Sequence, residues 1–190
     1  MAELQRTKGC VGGRAQETLK LSELGAAASE IRGENELWLA AALMQPELAL
    51  LPPAQLAAVV ACLLCPETLS RNNVWCMYSP SQEVLEVVRS VEPARQRLQL
   101  LQDRVGMRKE VAVDVRLAGL VEAWASGADW TQIMADTSLD EGDVVRVLRR
   151  TADFLSQLKL VPALSEGMRT SASQATRLVD RAPISELLVP

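Results

Sequence analysis

Residues 138–158 read SLDEGDVVRVLRRTADFLSQL, and the spacing of apolar side chains in this stretch decides the fold class. The apolar residues recur at intervals of one, three and four, which is the period of one face of an α-helix. They are Val144, Val145, Leu148, Ala152 and Leu155. Ser138 is followed three residues later by Glu141, the signature of a capping box at a helix start. The stretch predicts an amphipathic helix from this capping box to about Leu158.

A second amphipathic helix precedes this one in the chain. Its apolar residues stand at positions i, i+3, i+4 and i+7 of a helix. They are Leu117, Leu120, Val121 and Trp124. Gly127 then ends the segment, because glycine is the preferred residue just beyond a helix C-terminus. A short helix over about 129–136 is predicted next, so that residues 129–158 form a helix-turn-helix-like pair.

Helix start signals also occur nearer the N-terminus. Ser22 and Asn35 are residue types that cap helices, because their side-chain oxygens accept hydrogen bonds from backbone N–H groups of the first turn. Pro52 and Pro53 suit the first turn of a further helix, where a missing backbone N–H costs nothing. The sequence therefore predicts three helices in its first third.

The remaining helices and the composition complete the fold prediction. A long helix is predicted over about 81–105, and Pro93 should kink it or divide it in two. A last helix is predicted over about 164–181. Leu and Ala, both good helix formers, supply 29 and 25 of 190 residues, whereas Phe, Tyr and Trp together supply six. We predict an all-α fold, a single helical bundle of about seven or eight helices.

The domain organisation follows from the helix limits. Residues 1–18 are polar and rich in glycine, which predicts a flexible N-terminal segment or linker. Residues 19–182 are predicted to be the helical domain, and residues 183–190 a C-terminal tail. No apolar run approaches the ~18 residues of a membrane span, so no membrane association is expected.

The absence of histidine excludes several kinds of catalytic site. Neither a Ser-His-Asp nor a Cys-His arrangement can form, and no imidazole is present for acid-base catalysis. The 20 basic and 24 acidic residues give a net charge of −4, which argues against a nonspecific nucleic-acid binder but not against a local basic face.

The cysteines provide a minor alternative. Cys62 and Cys65 have the two-residue gap of a metal or redox pair, and Cys76 follows in the sequence. However, the intervening residues are leucines in an apolar helical run, and no second pair follows. We interpret these cysteines as small buried thiols in a reducing compartment, with a thiol enzyme or metal protein as the less favoured reading.

Three segments, taken in order, resemble a known family. The first joins LSELGAAASEI (21–31) to LPPAQLAAV (51–59), the second is LVEAWASG (120–127), and the third is the DEGD start of residues 138–158 with its following arginines. This order resembles the DSHCT domain, the C-terminal helical domain of superkiller-type DExH-box RNA helicases, over about residues 19–182. The ending DRAPISEL (180–187) looks like the plastid increased-size-exclusion-limit branch of the family.

The resemblance implies a non-catalytic module of an ATP-dependent RNA helicase that acts in RNA processing or turnover. Such a module packs on the helicase motor domains and contacts single-stranded RNA, and the chloroplast is the implied compartment, with cytoplasm or nucleus otherwise. ATP and Mg would be bound by the motor of the parent protein. The 190 residues contain neither a GxxxxGK[ST] sequence nor a DExH box, so we predict no cofactor, no metal and no enzymatic activity for this chain alone.

The resemblance also selects candidate RNA contacts. Arg146, Arg149 and Arg150 share one helix face at i, i+3 and i+4, and Arg146 matches the position that contacts RNA in relatives. A guanidinium there would bind phosphate or stack on a base. The alternative is a solvated face whose arginines pair with Asp143 and Asp153.

Other features leave the direct RNA contact open. In relatives the helix that lines the strand path carries an acidic residue, whereas residues 39–43 here are uncharged. Trp124 and Trp130 are expected to pack in the core rather than stack on bases. Gly142 is expected to allow tight packing on the preceding helix, or otherwise close approach of an RNA backbone. The alternative function is a protein-interaction helical domain with no direct RNA contact.

Overall fold

The computed structural model of the chain describes residues 4–11, 14–64, 74–107 and 111–186, with side chains from residue 21 onward. Its first element is an antiparallel hairpin of β1 (Leu4–Val11) and β2 (Arg14–Leu21). The hairpin includes most of residues 1–18, which the sequence predicts to be a flexible N-terminal segment or linker. The two strands flank Gly12-Gly13 in the sequence, a spacing typical of a tight hairpin. Whether the segment links domains stays a prediction.

The rest of the described chain is helical. Nine α-helices and one 3-10 helix lie in the described ranges. They are α1 (Glu23–Glu30), α2 (Glu36–Leu43), the 3-10 helix (Pro46–Leu50), α3 (Pro53–Leu64), α4 (Gln82–Ser90), α5 (Glu92–Arg104), α6 (Ala118–Ala125), α7 (Trp130–Ala135), α8 (Glu141–Leu158) and α9 (Glu166–Val179). This arrangement confirms the predicted helical bundle, including the helix-turn-helix-like pair, which is α7 and α8.

The predicted start signals act as expected. The Ser22 side chain accepts a hydrogen bond from the Gly25 N–H, and the Asn35 side chain accepts one from the Trp38 N–H. The long helix predicted over 81–105 is divided into α4 and α5, with Pro93 in the first turn of α5, where its missing N–H is harmless.

The centre of the bundle is α3. Every residue of α3 from Leu56 to Leu64 is buried, because α4, α6, α8 and α9 all pack on this helix. A helix that is apolar all round requires such cover, since each exposed apolar side chain would forgo the free energy of burial. The outer helices α8 and α9 pack against each other as well as on α3. The position of α8, which carries the candidate arginines, is thus fixed by the core.

The start of α8 differs from the predicted capping box. Asp140 caps α8, and its carboxylate accepts a hydrogen bond from the Asp143 N–H at 2.8 Å. Ser138 instead binds Trp75, because the Ser138 N–H donates to the Trp75 carbonyl at 3.1 Å and the Ser138 hydroxyl accepts from the Trp75 N–H at 2.9 Å. The predicted pair of Ser138 and Glu141 is therefore wrong, since an aspartate two residues later competes for the cap. A capping box does occur one helix earlier, between Asp129 and Gln132 of α7.

Trp124 of α6 is completely buried, as predicted, and joins three elements. Its indole N–H donates to the Val179 carbonyl at the end of α9 at 2.8 Å. The Arg181 guanidinium lies over its ring at 3.4 Å, and the Trp130 ring meets it edge-on at 5.7 Å. Trp130 is likewise a packing residue, as predicted.

Gly119 of α6 permits the closest backbone contact in this part of the fold. A Cβ at this position would overlap the carbonyl group of Tyr78 and lie 2.7 Å from the Ser79 carbonyl carbon. The segment is held there by Glu122, whose carboxylate accepts a hydrogen bond from the Ser81 N–H at 2.8 Å. Only glycine at position 119 allows residues 78–81 to pass this close to the backbone of α6.

We expect Gly119→Ala to lower the free energy of unfolding by about 1–3 kcal/mol or more, because the added methyl group collides with backbone that cannot rotate away. Gly167→Ala in α9 is the matched control. A Cβ there would meet only the Ala49 carbonyl oxygen at 3.9 Å, so alanine should stabilise the chain by about 0.5–1 kcal/mol. Urea unfolding of both variants tests this prediction, and equal effects would contradict it.

Candidate nucleic-acid interface

The candidate arginines lie on the narrow exposed side of α8. Nine of its eighteen residues are buried, so the helix is a rigid support for the side chains that remain outside. These side chains follow one another at helical spacing. Five of the nine residues that are not buried are Arg146, Arg149, Arg150, Asp153 and Gln157, and the backbone of Gly142 lies on the same side. The sequence pattern therefore placed the three arginines on a common side, but the structure gives each a different environment.

Arg146 is the most exposed of the three. Its side chain is 57% exposed, whereas that of its ion-pair partner Asp143 is 19% exposed. The Arg146 Nη1 donates to the Asp143 carboxylate at 2.9 Å. An exposed ion pair of this kind contributes little to stability, typically below ~1 kcal/mol. Most of the guanidinium therefore faces solvent, and a competing anion would meet only a weak internal partner.

Arg149 is engaged within the domain. Its Nε and Nη2 both donate to the carbonyl of Ile184, at 3.3 and 3.0 Å. Ile184 is completely buried and lies beyond the end of α9. Arg149 thus fastens the C-terminal segment to α8. Its predicted RNA contact stays a prediction, and this internal role was not foreseen, because nothing in the local sequence pairs residues 35 positions apart.

Arg150 joins α8 to the connection between α1 and α2. Its Nη2 forms an ion pair with the Glu34 carboxylate. Two turns further along, the Gln157 side chain accepts a hydrogen bond from the Arg32 N–H at 3.1 Å. The proposed pairing with Asp153 is not formed by Arg150 in the described structure, since Glu34 takes its place.

Gly142 lies in the exposed first turn of α8. A Cβ at this position would meet a single described side-chain atom, the Asp140 carboxylate oxygen at 3.4 Å. The expectation of tight packing on the preceding helix is therefore wrong. The backbone of this turn is open to solvent on the same side as Arg146, which leaves room for a large ligand.

A second exposed surface lies beside the start of α8. Residues 75–77 run antiparallel to residues 136–138, with a bridge between Cys76 and Thr137 and a hydrogen bond from the Met77 N–H to the Asp136 carbonyl at 2.9 Å. Trp75 is 52% exposed and Met77 is 71% exposed. The alternation of an extended segment turns both side chains outward. We call Trp75 and Met77 the apolar pair.

Carboxylates lie on and just after the segment that pairs with residues 75–77. Asp136, Asp140 and Glu141 lie on the same connection and the first turn of α8. Partial burial raises the pKa of Tyr78, and its hydrogen bond to the Asp136 carboxylate raises it further. The surface therefore combines an aromatic and a thioether side chain with excess negative charge, a combination suited to a basic partner.

The helix that contains the uncharged residues 39–43 is part of the core. In α2, the buried residues are Trp38, Leu39, Ala40, Ala42 and Leu43. The absence of a charged residue in 39–43 thus matches its position inside the bundle.

The cysteines and carboxylates give no metal centre in the part of the chain that the structure describes, where no group of three or more potential ligands is found. Cys62 is buried in α3, and burial raises the pKa of the Cys76 thiol. Cys65 lies outside the described residues. None of the helices in the described ranges has both the length and the apolar character needed to cross a bilayer.

Comparison with known proteins places the chain in a family. The DSHCT (NUC185) domain profile matches residues 18–186, so the chain belongs to the DSHCT family of helical domains. It is also 42% identical over 168 residues to the DExH-box ATP-dependent RNA helicase DExH15, chloroplastic, of Arabidopsis thaliana. That match covers 86% of this chain and 14% of the relative. The resemblance read from the sequence is thereby confirmed.

Substitutions of Arg149 and of Arg146 should differ in their effect on the stability of the domain. We expect Arg149→Ala to lower the free energy of unfolding by about 1–3 kcal/mol, because it leaves the buried Ile184 carbonyl without its donors. Arg146→Ala should cost less than ~0.5 kcal/mol, since its ion pair is exposed. Urea unfolding of both variants provides the measurement. A larger loss for Arg146→Ala would contradict the assignment of their roles.

Proposed function

We propose that this chain acts as the C-terminal helical module of an ATP-dependent DExH-box RNA helicase. In this role it docks on the motor domains and contributes contacts to single-stranded RNA in the channel. Family membership and the similarity to a chloroplastic helicase support the proposal. The motor domains supply ATP and Mg chemistry, and this chain supplies no catalytic group. The chloroplast is the proposed compartment.

The exposed guanidinium of Arg146 carries the RNA part of the proposal. It projects from a helix that the core holds rigidly, next to the open backbone of Gly142. A phosphate oxygen can accept a charge-assisted hydrogen bond from this group, and the weak pair with Asp143 is readily exchanged for it. Arg149 and Arg150 are secondary candidates, because an RNA contact by either would compete with a bond inside the domain.

We expect Arg146→Ala to weaken binding of single-stranded RNA by a polypeptide that carries the motor domains together with this domain. The loss of one phosphate contact should reduce the slope of log K against log salt by about 0.7. RNA-stimulated ATP hydrolysis should fall in parallel at limiting RNA. Fluorescence anisotropy with a labelled oligonucleotide gives the affinity and the slope.

Two further variants serve as controls. Arg97→Ala removes the same charge from the exposed side of α5 and should leave the salt slope unchanged. Asp143→Asn removes the internal partner of Arg146, so RNA affinity should stay the same or rise. Equal losses of RNA affinity for Arg146→Ala and Arg97→Ala, or no loss for either variant, would contradict the proposed contact.

The apolar pair supports the docking part of the proposal, and equally a second candidate, a protein-interaction domain without RNA contact. Trp75 and Met77 are large, exposed and held on a rigid backbone. Aromatic side chains and methionine are enriched at protein interfaces, where tryptophan often contributes most of the binding energy. The neighbouring carboxylates favour a partner surface that carries lysine or arginine.

We expect the double substitution Trp75→Ala/Met77→Ala to weaken association with separately supplied motor domains by about tenfold or more, as for an interface hot spot. Isothermal titration calorimetry measures the dissociation constant. Leu50→Ala is the matched control, because Leu50 is 84% exposed on the 3-10 helix and away from this segment in the chain. If both variants bind like the unmodified chain, the apolar pair is not the docking surface.

A further inference from the structure

The outer side of α9 carries a polar groove that no role so far explains. The groove is a shallow depression along one side of α9, with a volume of about 440 Å³, and it is largely open to solvent. All of its lining residues are charged or polar. They are Glu166, Arg169, Thr170, Ser173, Gln174 and Arg177. The opposite side of α9, by contrast, is buried against the core and includes Met168, Ala172 and Val179.

Arg169 has an incomplete set of hydrogen bonds. Its Nε is buried and has no hydrogen-bond partner. Among the described residues, neither Arg169 nor Arg177 forms an ion pair, although Glu166 lies three positions before Arg169. A buried donor without an acceptor is unfavourable, so a rotation of the Arg169 side chain that brings this N–H to an acceptor on a ligand would be favoured. The groove therefore has the local charge and the vacant donor that an anionic ligand requires.

The residue types favour a nucleic-acid backbone over a protein. Phosphate oxygens in protein complexes of nucleic acids are bound mainly by arginine, lysine, serine, threonine and glutamine side chains, and the groove offers two arginines, two hydroxyls and one amide. A protein interface instead usually has an apolar anchor at its centre, and no apolar residue lines the groove.

The spacing of the two guanidiniums suits a strand rather than a single anion. Arg169 and Arg177 are eight residues apart on one helix face, which corresponds to ~12 Å along the axis. This distance exceeds the ~3.4 Å rise per nucleotide of a stacked strand, so the two groups reach different phosphates. Thr170, Ser173 and Gln174 fill the interval between them.

We infer that the outer side of α9 is a second binding site for the phosphate backbone of single-stranded RNA, distinct from the Arg146 contact on α8. Arg169 and Arg177 bind separate phosphates, and the hydroxyl and amide groups between them donate to the intervening backbone. The inference rests on the proposed RNA-binding function and extends it to a surface defined by shape and charge.

The test uses the 190-residue chain and a fluorescein-labelled uridine 12-mer. We expect the double substitution Arg169→Gln/Arg177→Gln to weaken binding about tenfold and to reduce the slope of log K against log salt by about 1.4, which is two contacts of about 0.7 each. The matched control Arg97→Gln/Arg104→Gln removes the same charge from the exposed side of α5 and should change the affinity less than about threefold. Urea unfolding verifies that both variants remain folded.

A direct readout accompanies the affinities. In the unmodified chain, the Arg169 Nε–H signal in a ¹H–¹⁵N spectrum should shift on addition of the uridine 12-mer, because the vacant donor gains an acceptor. It should not shift on addition of a polyglutamate peptide at the same charge concentration. An equal response to polyglutamate would assign the groove to an acidic protein segment and overturn the inference.

The remaining outcomes are also decisive. Equal losses of RNA affinity in the two double variants would show a general charge effect and overturn the inference. Absence of RNA binding by the unmodified chain would also overturn it. Neither result bears on Arg146, whose contact is measured in the presence of the motor domains. Loss of RNA binding through Arg146→Ala with an unchanged Arg169→Gln/Arg177→Gln variant would leave the proposed function standing and remove the second site.

Discussion

The burial of Trp124 between Arg181, Trp130 and the end of α9 is the constraint on which the rest of the fold depends. The indole N–H is satisfied by the Val179 carbonyl, and the Arg181 Nη2 donates to the carbonyls of Trp124 and Ala128. Burial lowers the pKa of Arg181, while the charge of Asp129 opposes this change. A cation held over an indole ring in a partly buried position contributes about 1–2 kcal/mol. This contact fixes where α9 ends. The end of α9 then places Ile184, to which Arg149 binds, and so aligns the exposed side of α8.

The distribution of charge is compatible with the proposed RNA contact of an acidic chain. The 16 arginines serve different purposes: Arg149 and Arg181 bind backbone carbonyls inside the domain, and Arg150 pairs with Glu34. Arg146 remains largely exposed. A domain built in this way would add few phosphate contacts, which suits the proposed module, whose partner domains would bind the same strand. Binding that is weak at each contact also permits the strand to move, since each contact is broken at low cost.

Most of the fold could be predicted from the sequence because helices are specified locally. The spacing of apolar residues, the caps at Ser22 and Asn35 and the position of Pro93 all act within a few residues, and the structure agrees with each of them. The wrong predictions concern choices between neighbours or contacts between distant segments. Asp140 displaced Ser138 as a cap because Ser138 binds Trp75, which lies 63 residues earlier. The partners of the α8 arginines were likewise unpredictable, since they lie 35 and 116 residues away.

The short pairing of residues 75–77 with residues 136–138 has a mechanical consequence. Hydrogen bonds join Trp75 to Ser138 and Met77 to Asp136, and only two residues separate Ser138 from the first turn of α8. A displacement of the apolar pair is therefore transmitted to the start of α8 without a compliant linker between them. The short antiparallel pairing that exposes Trp75 is thus mechanically coupled to the helix that carries Arg146.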